Sequence, residues 1–223
     1  MIRALFCDFY GTLVFEDDMP VRAAAERIYR TGCAGSREEI GAFWGKHFFE
    51  LCAASFGKTF RTQRDLERQS LRDTVDRFRS AEDAAELSEF LFEHWVTPPI
   101  FEDSKQFLAE SPVPVYIASN IDTADLYSAL GFHGLNPTGV VTSEEARSYK
   151  PRNEIFALTL RKFGLEQGEV VHIGDSVTSD ILGAKQAGID SVWINRKSRS
   201  KPPEVEREAA ALLNVLWLLA SSF

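Results

Sequence analysis

The chain has 223 residues, which is enough for one or two domains with a full hydrophobic core, and its composition is that of a soluble globular protein, with 44% hydrophobic and 26% charged residues. The formal net charge of −8 argues against a nucleic-acid-binding protein, which normally presents a basic face, and against docking on anionic lipid. Three scattered cysteines, no visible signal peptide and no apolar run of membrane-spanning length predict a cytoplasmic protein.

The first predicted elements are a strand and a long helical block. Ile2–Cys7 is a short apolar run, continuous rather than alternating, as in a strand that is covered on both faces. Helical periodicity then dominates without a strand-like run, and Pro98 and Pro99 end the block. We therefore predict a helical cap at residues 17–97, inserted into an α/β core formed by residues 1–16 and 98–223. The predicted cap helices are Ala23–Tyr29, Glu38–Phe56, Arg64–Phe78 and Glu82–Trp95.

The rest of the chain alternates between strands and helices. The helical patterns Ile121–Leu130, Arg152–Phe163 and Ser179–Ala187 separate short runs rich in Val and Ile. This alternation predicts a doubly wound, mostly parallel, Rossmann-like sheet. Arg196–Pro203 is interpreted as a surface loop, and Ala209–Ala220 as an amphipathic helix that packs on the core. The predicted strands are Val113–Ala118, Val170–Ile173 and Ser191–Ile194, with Val140–Thr142 as a weaker candidate.

Residues that can do chemistry follow the predicted strands, at the edge of an open α/β sheet where ligands bind. Taken singly, each has an ordinary explanation: Asp8 as a turn residue, Ser119 as a helix cap, Lys150 as a surface charge. Their coincidence at one edge favours a functional site. His172, inside a strand, is interpreted as a core histidine. The converging residues are Asp8, Tyr10, Gly11, Thr12, Ser119, Asn120, Lys150, Asp175, Ser176 and Asp180.

The two aspartates that follow adjacent strands suggest a metal. Asp8 and Asp175 can share one Mg²⁺, which takes oxygen ligands and would offset their repulsion of an anionic substrate. With the metal and Lys150 beside it, Asp8 can attack phosphorus and form an aspartyl-phosphate. Thr12, Ser119 and loop N–H groups would hold the phosphoryl oxygens. The expected partner is thus a small anionic molecule, with no nucleic acid and no membrane, for a monomer or homodimer.

At these residues the chain resembles the haloacid dehalogenase superfamily of hydrolases, and four motifs occur in the family's order. They are Asp8-Phe-Tyr-Gly-Thr12, Ile117-Ala-Ser119-Asn120, Lys150-Pro151, and Gly174-Asp175-Ser-Val-Thr-Ser-Asp180. The resemblance implies a Rossmann-like core with a helical C1 cap. It makes Asp8 the nucleophile, with Ser119 and Lys150 at the phosphoryl group. It further implies the following roles: Asp8, Asp175 and the Tyr10 carbonyl as Mg²⁺ ligands, Tyr10, Gly11, Thr12 and Asn120 in substrate binding, and Asp180 and Ser176 behind them.

One position departs from the phosphatase pattern. Phosphatases of this superfamily carry a second Asp as general acid two residues after the nucleophile, and here that residue is Tyr10. Tyr at this position resembles the 2-haloacid dehalogenases, whereas Gly174-Asp175-Ser176 resembles the metal-dependent phosphatases and nucleotidases. We expect an Mg²⁺-dependent phosphatase of a small, possibly nucleotide-like phosphomonoester. The alternatives are a 2-haloacid dehalogenase, a phosphonate hydrolase that uses Lys46 or Lys58, and a ligand-binding protein with little turnover.

Overall fold

Six parallel strands form one sheet in the computed structural model, which describes residues 1–222 and their side chains up to residue 217. The strand order is β3-β2-β1-β4-β5-β6, so β1 lies in the middle, where Leu5 pairs with Val115 on one side and Val171 on the other. The predicted doubly wound α/β sheet is confirmed. The strands are β1 (Ala4–Cys7), β2 (Val115–Ser119), β3 (Gly139–Thr142), β4 (Val170–Gly174), β5 (Asp190–Ile194) and β6 (Arg207–Ala209).

Helices cover both faces of this sheet and fill the interval between β1 and β2. No helix among residues 1–222 is long and apolar enough to cross a bilayer. A π-helical segment, Val177–Leu182, runs directly into α9. The helices are α1 (Asp18–Thr31), α2 (Arg37–Ala54), α3 (Gln63–Arg77), α4 (Ala84–Val96), α5 (Ser104–Glu110), α6 (Thr123–His133), α7 (Ser143–Ala146), α8 (Glu154–Phe163), α9 (Gly183–Gln186) and α10 (Leu212–Ser222).

The sequence patterns did not predict three of these elements, the short helices α5 and α7 and the strand β6. The strand β6 lies between the predicted loop Arg196–Pro203 and the C-terminal helix, which begins at Leu212 rather than at Ala209. Since β6 is an edge strand that pairs with β5 alone, it has no need of an apolar run, and two of its three residues are exposed. The seven-residue α5 is too short to show a clear helical period.

The alternating side chains of β1 contribute to two separate layers of the core. Leu5 and Cys7 face a layer that also contains buried residues of α5, α6 and α10. Ala4 and Phe6 face the opposite layer, which contains residues of α8 and α9. All four side chains are completely buried, which explains why the strand is a continuous apolar run in the sequence.

Helices α1–α4 pack on one another in chain order, and α4 packs on α6 of the core, while hydrogen bonds join α3 to the core as well. The carboxylate of Asp122, which follows β2, accepts hydrogen bonds from the backbone N–H groups of Gln63 (2.7 Å) and Arg64 (3.0 Å) at the start of α3. The guanidinium of Arg64 donates two hydrogen bonds, of 2.8 and 2.7 Å, to Asp125 of α6. These contacts orient α3 over the carboxyl ends of the strands. That residues 17–97 form a separate cap domain stays a prediction.

A buried carboxyl group inside the helical block makes stability depend on pH. Glu67 of α3 is 3% exposed and accepts a hydrogen bond of 2.9 Å from Trp44 Nε1 of α2. Burial, reinforced by Asp17, raises the pKa of Glu67 to about 8. In the unfolded chain the same carboxyl ionises near pH ~4.3. Between these values the unfolded state therefore releases a proton that the folded state retains, and the stability of the fold falls as the pH rises.

We expect Glu67→Gln to remove this dependence. The amide keeps the acceptor for Trp44 and carries no charge, so the variant should match the unmodified protein at pH 4 and exceed it in free energy of unfolding above pH 8, by a few kcal/mol. Denaturant unfolding across this pH range measures the difference, with exposed Glu102→Gln as the control. Parallel stability curves for Glu67→Gln and the unmodified protein would contradict the assignment.

Candidate active site

The carboxyl ends of three neighbouring strands bring the predicted residues to one cavity of about 230 Å³. Asp8 follows β1, Ser119 ends β2 and Asp175 follows β4. Asp8, Asp175 and Lys150 are 8%, 7% and 3% exposed, so the cavity holds charged groups that are almost fully removed from water. The predicted residues that line the cavity are Asp8, Tyr10, Ser119, Asn120, Lys150, Asp175 and Ser176.

A buried lysine lies between two of the aspartates. Lys150 Nζ is 2.9 Å from Asp8 Oδ1 and 2.6 Å from Asp180 Oδ1. Asp180 also accepts hydrogen bonds from His172 Nε2 (2.9 Å) and from the backbone N–H of Ser176 (3.0 Å). Although burial opposes it, the charge of Lys150 and the contact with His172 lower the pKa of Asp180 to about 2. Asp180 is therefore ionised, fully paired, and in a position to hold the Lys150 ammonium against Asp8.

Asp175 has much less compensation for its charge. Its nearest cation is Arg199, whose Nη2 lies 3.9 Å away on a half-exposed side chain. Burial raises the pKa of Asp175 well above its usual range, and the charges of Glu16, Asp180 and Asp8 add to this effect. Burial also raises the pKa of Asp8, although Lys150 opposes it. Asp8 and Asp175 are thus two buried carboxyl groups in one cavity, of which Asp8 is paired with Lys150 and Asp175 has only the Arg199 contact among the described residues.

This donor set fits the predicted Mg²⁺. Carboxylate oxygens of Asp8, Asp175 and Asp180 lie within 4.8 Å of one another, and oxygen is the ligand that Mg²⁺ prefers. Because both oxygens of Asp180 already accept hydrogen bonds, the ligands available from the side chains are Asp8 and Asp175. A divalent cation there would remove the electrostatic cost of burying the two groups together. The Tyr10 backbone carbonyl stays the predicted third protein ligand.

The structure places the predicted substrate-binding residues Gly11, Thr12 and Asn120 in three different environments. Asn120 uses its side-chain amide to hold Lys150, accepting from the backbone N–H (2.7 Å) and donating to the carbonyl (3.1 Å). Gly11 and Thr12 are not among the residues that line the catalytic cavity. Gly11 instead lies against Asp175: its φ is +78°, and a Cβ would come within 2.3 Å of Asp175 Oδ1. Thr12 is buried, and its hydroxyl has no hydrogen-bond partner.

The hydroxyl of Tyr10 is bound to the protein backbone and not to the catalytic residues. It donates a hydrogen bond to the backbone carbonyl of Trp95, near the end of α4. Burial raises the pKa of Tyr10 well above its usual range, and the neighbouring carboxylates of Asp125, Asp17 and Asp8 add to this effect. A phenol with a raised pKa whose proton is already donated to Trp95 is a poor general acid. Tyr10 therefore connects the loop after β1 to the end of the helical block.

Residues from the helical block close the cavity, and the sequence analysis singled out none of them. Asp17 accepts a hydrogen bond of 3.0 Å from Trp95 Nε1, and Gln63 is the first residue of α3. These positions carry no motif, and aromatic residues at helical spacing look like ordinary core residues in a sequence. The cavity-lining residues of this group are Glu16, Asp17, Phe48, Gln63 and Trp95.

A second, larger cavity of about 530 Å³ lies beyond Glu16 and Asp175, which line both. It is bordered by the start of the helical block and by Arg196, Lys197 and Arg199 of the loop after β5. Neither Asp8 nor Lys150 lines it. The residues predicted to react with substrate therefore belong to the smaller cavity.

Comparisons with known proteins agree with the motifs. The model of the haloacid dehalogenase-like hydrolases matches residues 2–188. The phosphoserine phosphatase of Thermus thermophilus is 29% identical over 200 residues, which cover 82% of this chain and 77% of that protein. The L-2-haloacid dehalogenase from Xanthobacter autotrophicus superposes with a TM-score of 0.78 at 20% identity over 100% of both chains. HAD-hydrolase YfnB from Bacillus subtilis, solved with magnesium bound, gives 0.74 at 21% identity over 98% and 99% of the chains.

Proposed function

The chain belongs to the haloacid dehalogenase-like hydrolases, and we propose that within this family it is an Mg²⁺-dependent phosphatase of a small phosphomonoester. The observation that carries the proposal is Asp175, a buried carboxylate that faces Asp8 with only the distant Arg199 to compensate it. Chemistry at carbon without a metal gives no reason to bury this second carboxylate. The phosphatase among the relatives, at 29% identity over most of both chains, supports the same choice.

In the proposed reaction an oxygen of Asp8 attacks phosphorus, and an aspartyl-phosphate forms as the alcohol leaves with a proton from water; a second water then hydrolyses the aspartyl-phosphate to phosphate and free Asp8. Lys150, which Asp180 holds 2.9 Å from Asp8, keeps the nucleophile ionised and offers positive charge to the phosphoryl oxygens. Ser119, which lines the same cavity, can donate a hydrogen bond to one of these oxygens. Mg²⁺ held by Asp8, Asp175 and the Tyr10 carbonyl would neutralise phosphoryl charge.

The alternatives receive less support. Tyr10 matches the dehalogenase motif, but the dehalogenases that superpose on this chain are about one-fifth identical, which shows the fold alone. Phosphonate cleavage needs an amine in the cavity, and neither Lys46 nor Lys58 is among its lining residues. The cavity volume of about 230 Å³ lies below the ~300 Å³ at which typical ligand sites begin, which favours a small phosphate over a nucleotide.

We expect metal removal to decide between the two main reactions. Hydrolysis of p-nitrophenyl phosphate should require Mg²⁺, cease in EDTA and return when Mg²⁺ is added in excess. Asp175→Asn should weaken Mg²⁺ binding, so that a higher Mg²⁺ concentration is needed, and lower the rate by about 10²-fold or more, since it removes a carboxylate ligand of the metal. The comparison is made in parallel with 2-chloropropionate. Halide release that survives EDTA, without phosphate release, would replace the phosphatase proposal by the dehalogenase.

A further inference from the structure

The side of the catalytic cavity that faces the helical block is acidic and aromatic. Asp17 and Glu16 supply carboxylates there, and the rings of Phe48 and Trp95 lie beside them. Among the described residues that line the cavity, Lys150 is the only cation, and it is already paired with Asp8 and Asp180 at the opposite side. The part of a substrate that extends away from the phosphoryl group therefore meets negative charge and aromatic rings.

Two acceptor atoms in this region have unused capacity. Gln63 Oε1 is buried and has no hydrogen-bond partner among the described residues. Asp17 accepts from Trp95 Nε1 through Oδ2, and within residues 1–222 its Oδ1 receives no hydrogen bond. Leaving a buried acceptor unpaired costs on the order of 1–3 kcal/mol. Gln63 also lines the cavity, so its unpaired Oε1 lies close to the space that a bound molecule would occupy.

We propose that this region, formed by Asp17, Gln63, Phe48 and Trp95, binds the ammonium group of an aminoalkyl phosphate. The inference rests on the phosphatase function proposed above and names its substrate class. An ammonium group has three N–H donors, enough for the Asp17 carboxylate and Gln63 Oε1 together. Its charge is attracted to the faces of nearby aromatic rings. The phosphoryl group of the same molecule would lie at Asp8 and Lys150.

The same arrangement selects against other phosphate esters. A substrate with a second anionic group, either a carboxylate or another phosphate, would bury that charge beside Asp17 and Glu16, where the described residues that line the catalytic cavity offer no cation besides Lys150. Glu16 contributes less to this selectivity, because Lys197 Nζ lies 3.2 Å from it and offsets its charge. Asp17 has no cation partner among the described residues. Asp17 is therefore the residue on which the selectivity depends.

Inhibitors that cannot be hydrolysed test the subsite apart from the reaction. Three phosphonates of similar length differ only at the far end: 3-aminopropylphosphonate is cationic there, n-butylphosphonate is neutral, and 3-phosphonopropanoate is anionic. Their inhibition constants are measured against p-nitrophenyl phosphate hydrolysis in Mg²⁺. We expect 3-aminopropylphosphonate to bind about 10-fold more tightly than n-butylphosphonate, and 3-phosphonopropanoate to bind more weakly than either. Equal constants for the first two, or tightest binding of the anion, would overturn the inference.

Asp17→Asn gives the matched variant. It should reduce the preference for the cationic inhibitor to near one, whereas Asp18→Asn, at the exposed neighbour that pairs with Lys197, should leave the preference unchanged. If both variants lose the preference for the cationic inhibitor to the same extent, the preference comes from the overall negative charge of the region, and the role of Asp17 is overturned. If Asp17→Asn does not fold, the ratio in the unmodified protein decides. Calorimetric titration of the same phosphonates gives the ratio of their affinities without any turnover. A protein that shows this ratio but hydrolyses no phosphate ester would therefore refute the phosphatase function and leave the subsite standing.

Discussion

Asp8→Asn should abolish phosphomonoester hydrolysis and leave the fold intact. A carboxamide is too weak a nucleophile to attack phosphorus, and losses on the order of 10⁴–10⁶ in kcat are typical when a nucleophile is removed. The replacement is nearly isosteric. It also relieves repulsion from Asp175 and Asp180, while Lys150 keeps its 2.6 Å contact with Asp180. We therefore expect an unchanged or slightly higher melting temperature together with the loss of turnover.

The measurement combines steady-state rates in Mg²⁺ with thermal unfolding in EDTA, since Asp8 is also a proposed Mg²⁺ ligand and its replacement would lower metal stabilisation. Asp190→Asn, at an exposed residue paired with Arg207, is the control for an aspartate-to-asparagine change and should affect neither quantity. Brief reaction with radiolabelled substrate, followed by acid quenching, should trap label on the unmodified protein and not on Asp8→Asn. Turnover at the unmodified rate in Asp8→Asn would remove Asp8 as nucleophile, whichever reaction the protein performs.

The sheet and the core of the site could be predicted from sequence because both follow from parallel strands. A strand covered on two faces is a continuous apolar run, and β1, β2 and β4 are such runs. The carboxyl ends of neighbouring parallel strands share one edge, so residues directly after them must meet there. Asp8, Ser119 and Asp175 were therefore placed together without any knowledge of the helices.

The helical side of the site could not be predicted in this way. Gln63 reaches the cavity because Asp122 and Asp125 hold the start of α3 over the strand ends, and these contacts join residues about sixty positions apart. Asp17 is held by Trp95, at a separation of 78 residues. Periodicity describes one face of one helix and contains no information on such pairings. His172 illustrates the same limit: it is buried as predicted, yet its contact with Asp180 connects it to Lys150.

Because position 10 carries a tyrosine and not a carboxylic acid, the rate of hydrolysis should depend strongly on the leaving group of the substrate. A positioned general acid contributes typically ~10²–10⁴-fold, and the Tyr10 hydroxyl donates to the Trp95 carbonyl instead. Aryl phosphates with an acidic phenol, which leave without a proton, should therefore turn over faster than alkyl phosphates by about that factor. This difference between aryl and alkyl phosphates is a difference in kcat. It is therefore separate from the gain in binding affinity that an ammonium group would have at Asp17.

Two variants separate the hydroxyl from the ring. Tyr10→Phe removes only the hydrogen bond to Trp95, so it should preserve the aryl-to-alkyl ratio while lowering stability by roughly 1 kcal/mol, as expected for one lost hydrogen bond. Tyr10→Asp should narrow the ratio if the shorter carboxyl reaches the leaving oxygen, although it leaves a cavity where the buried ring packs against Phe9. Equal rates on aryl and alkyl phosphates by the unmodified protein would mean that another group donates the proton. Asp17, a carboxyl group of the same cavity that has no cation partner among the described residues, would then be the residue to replace next.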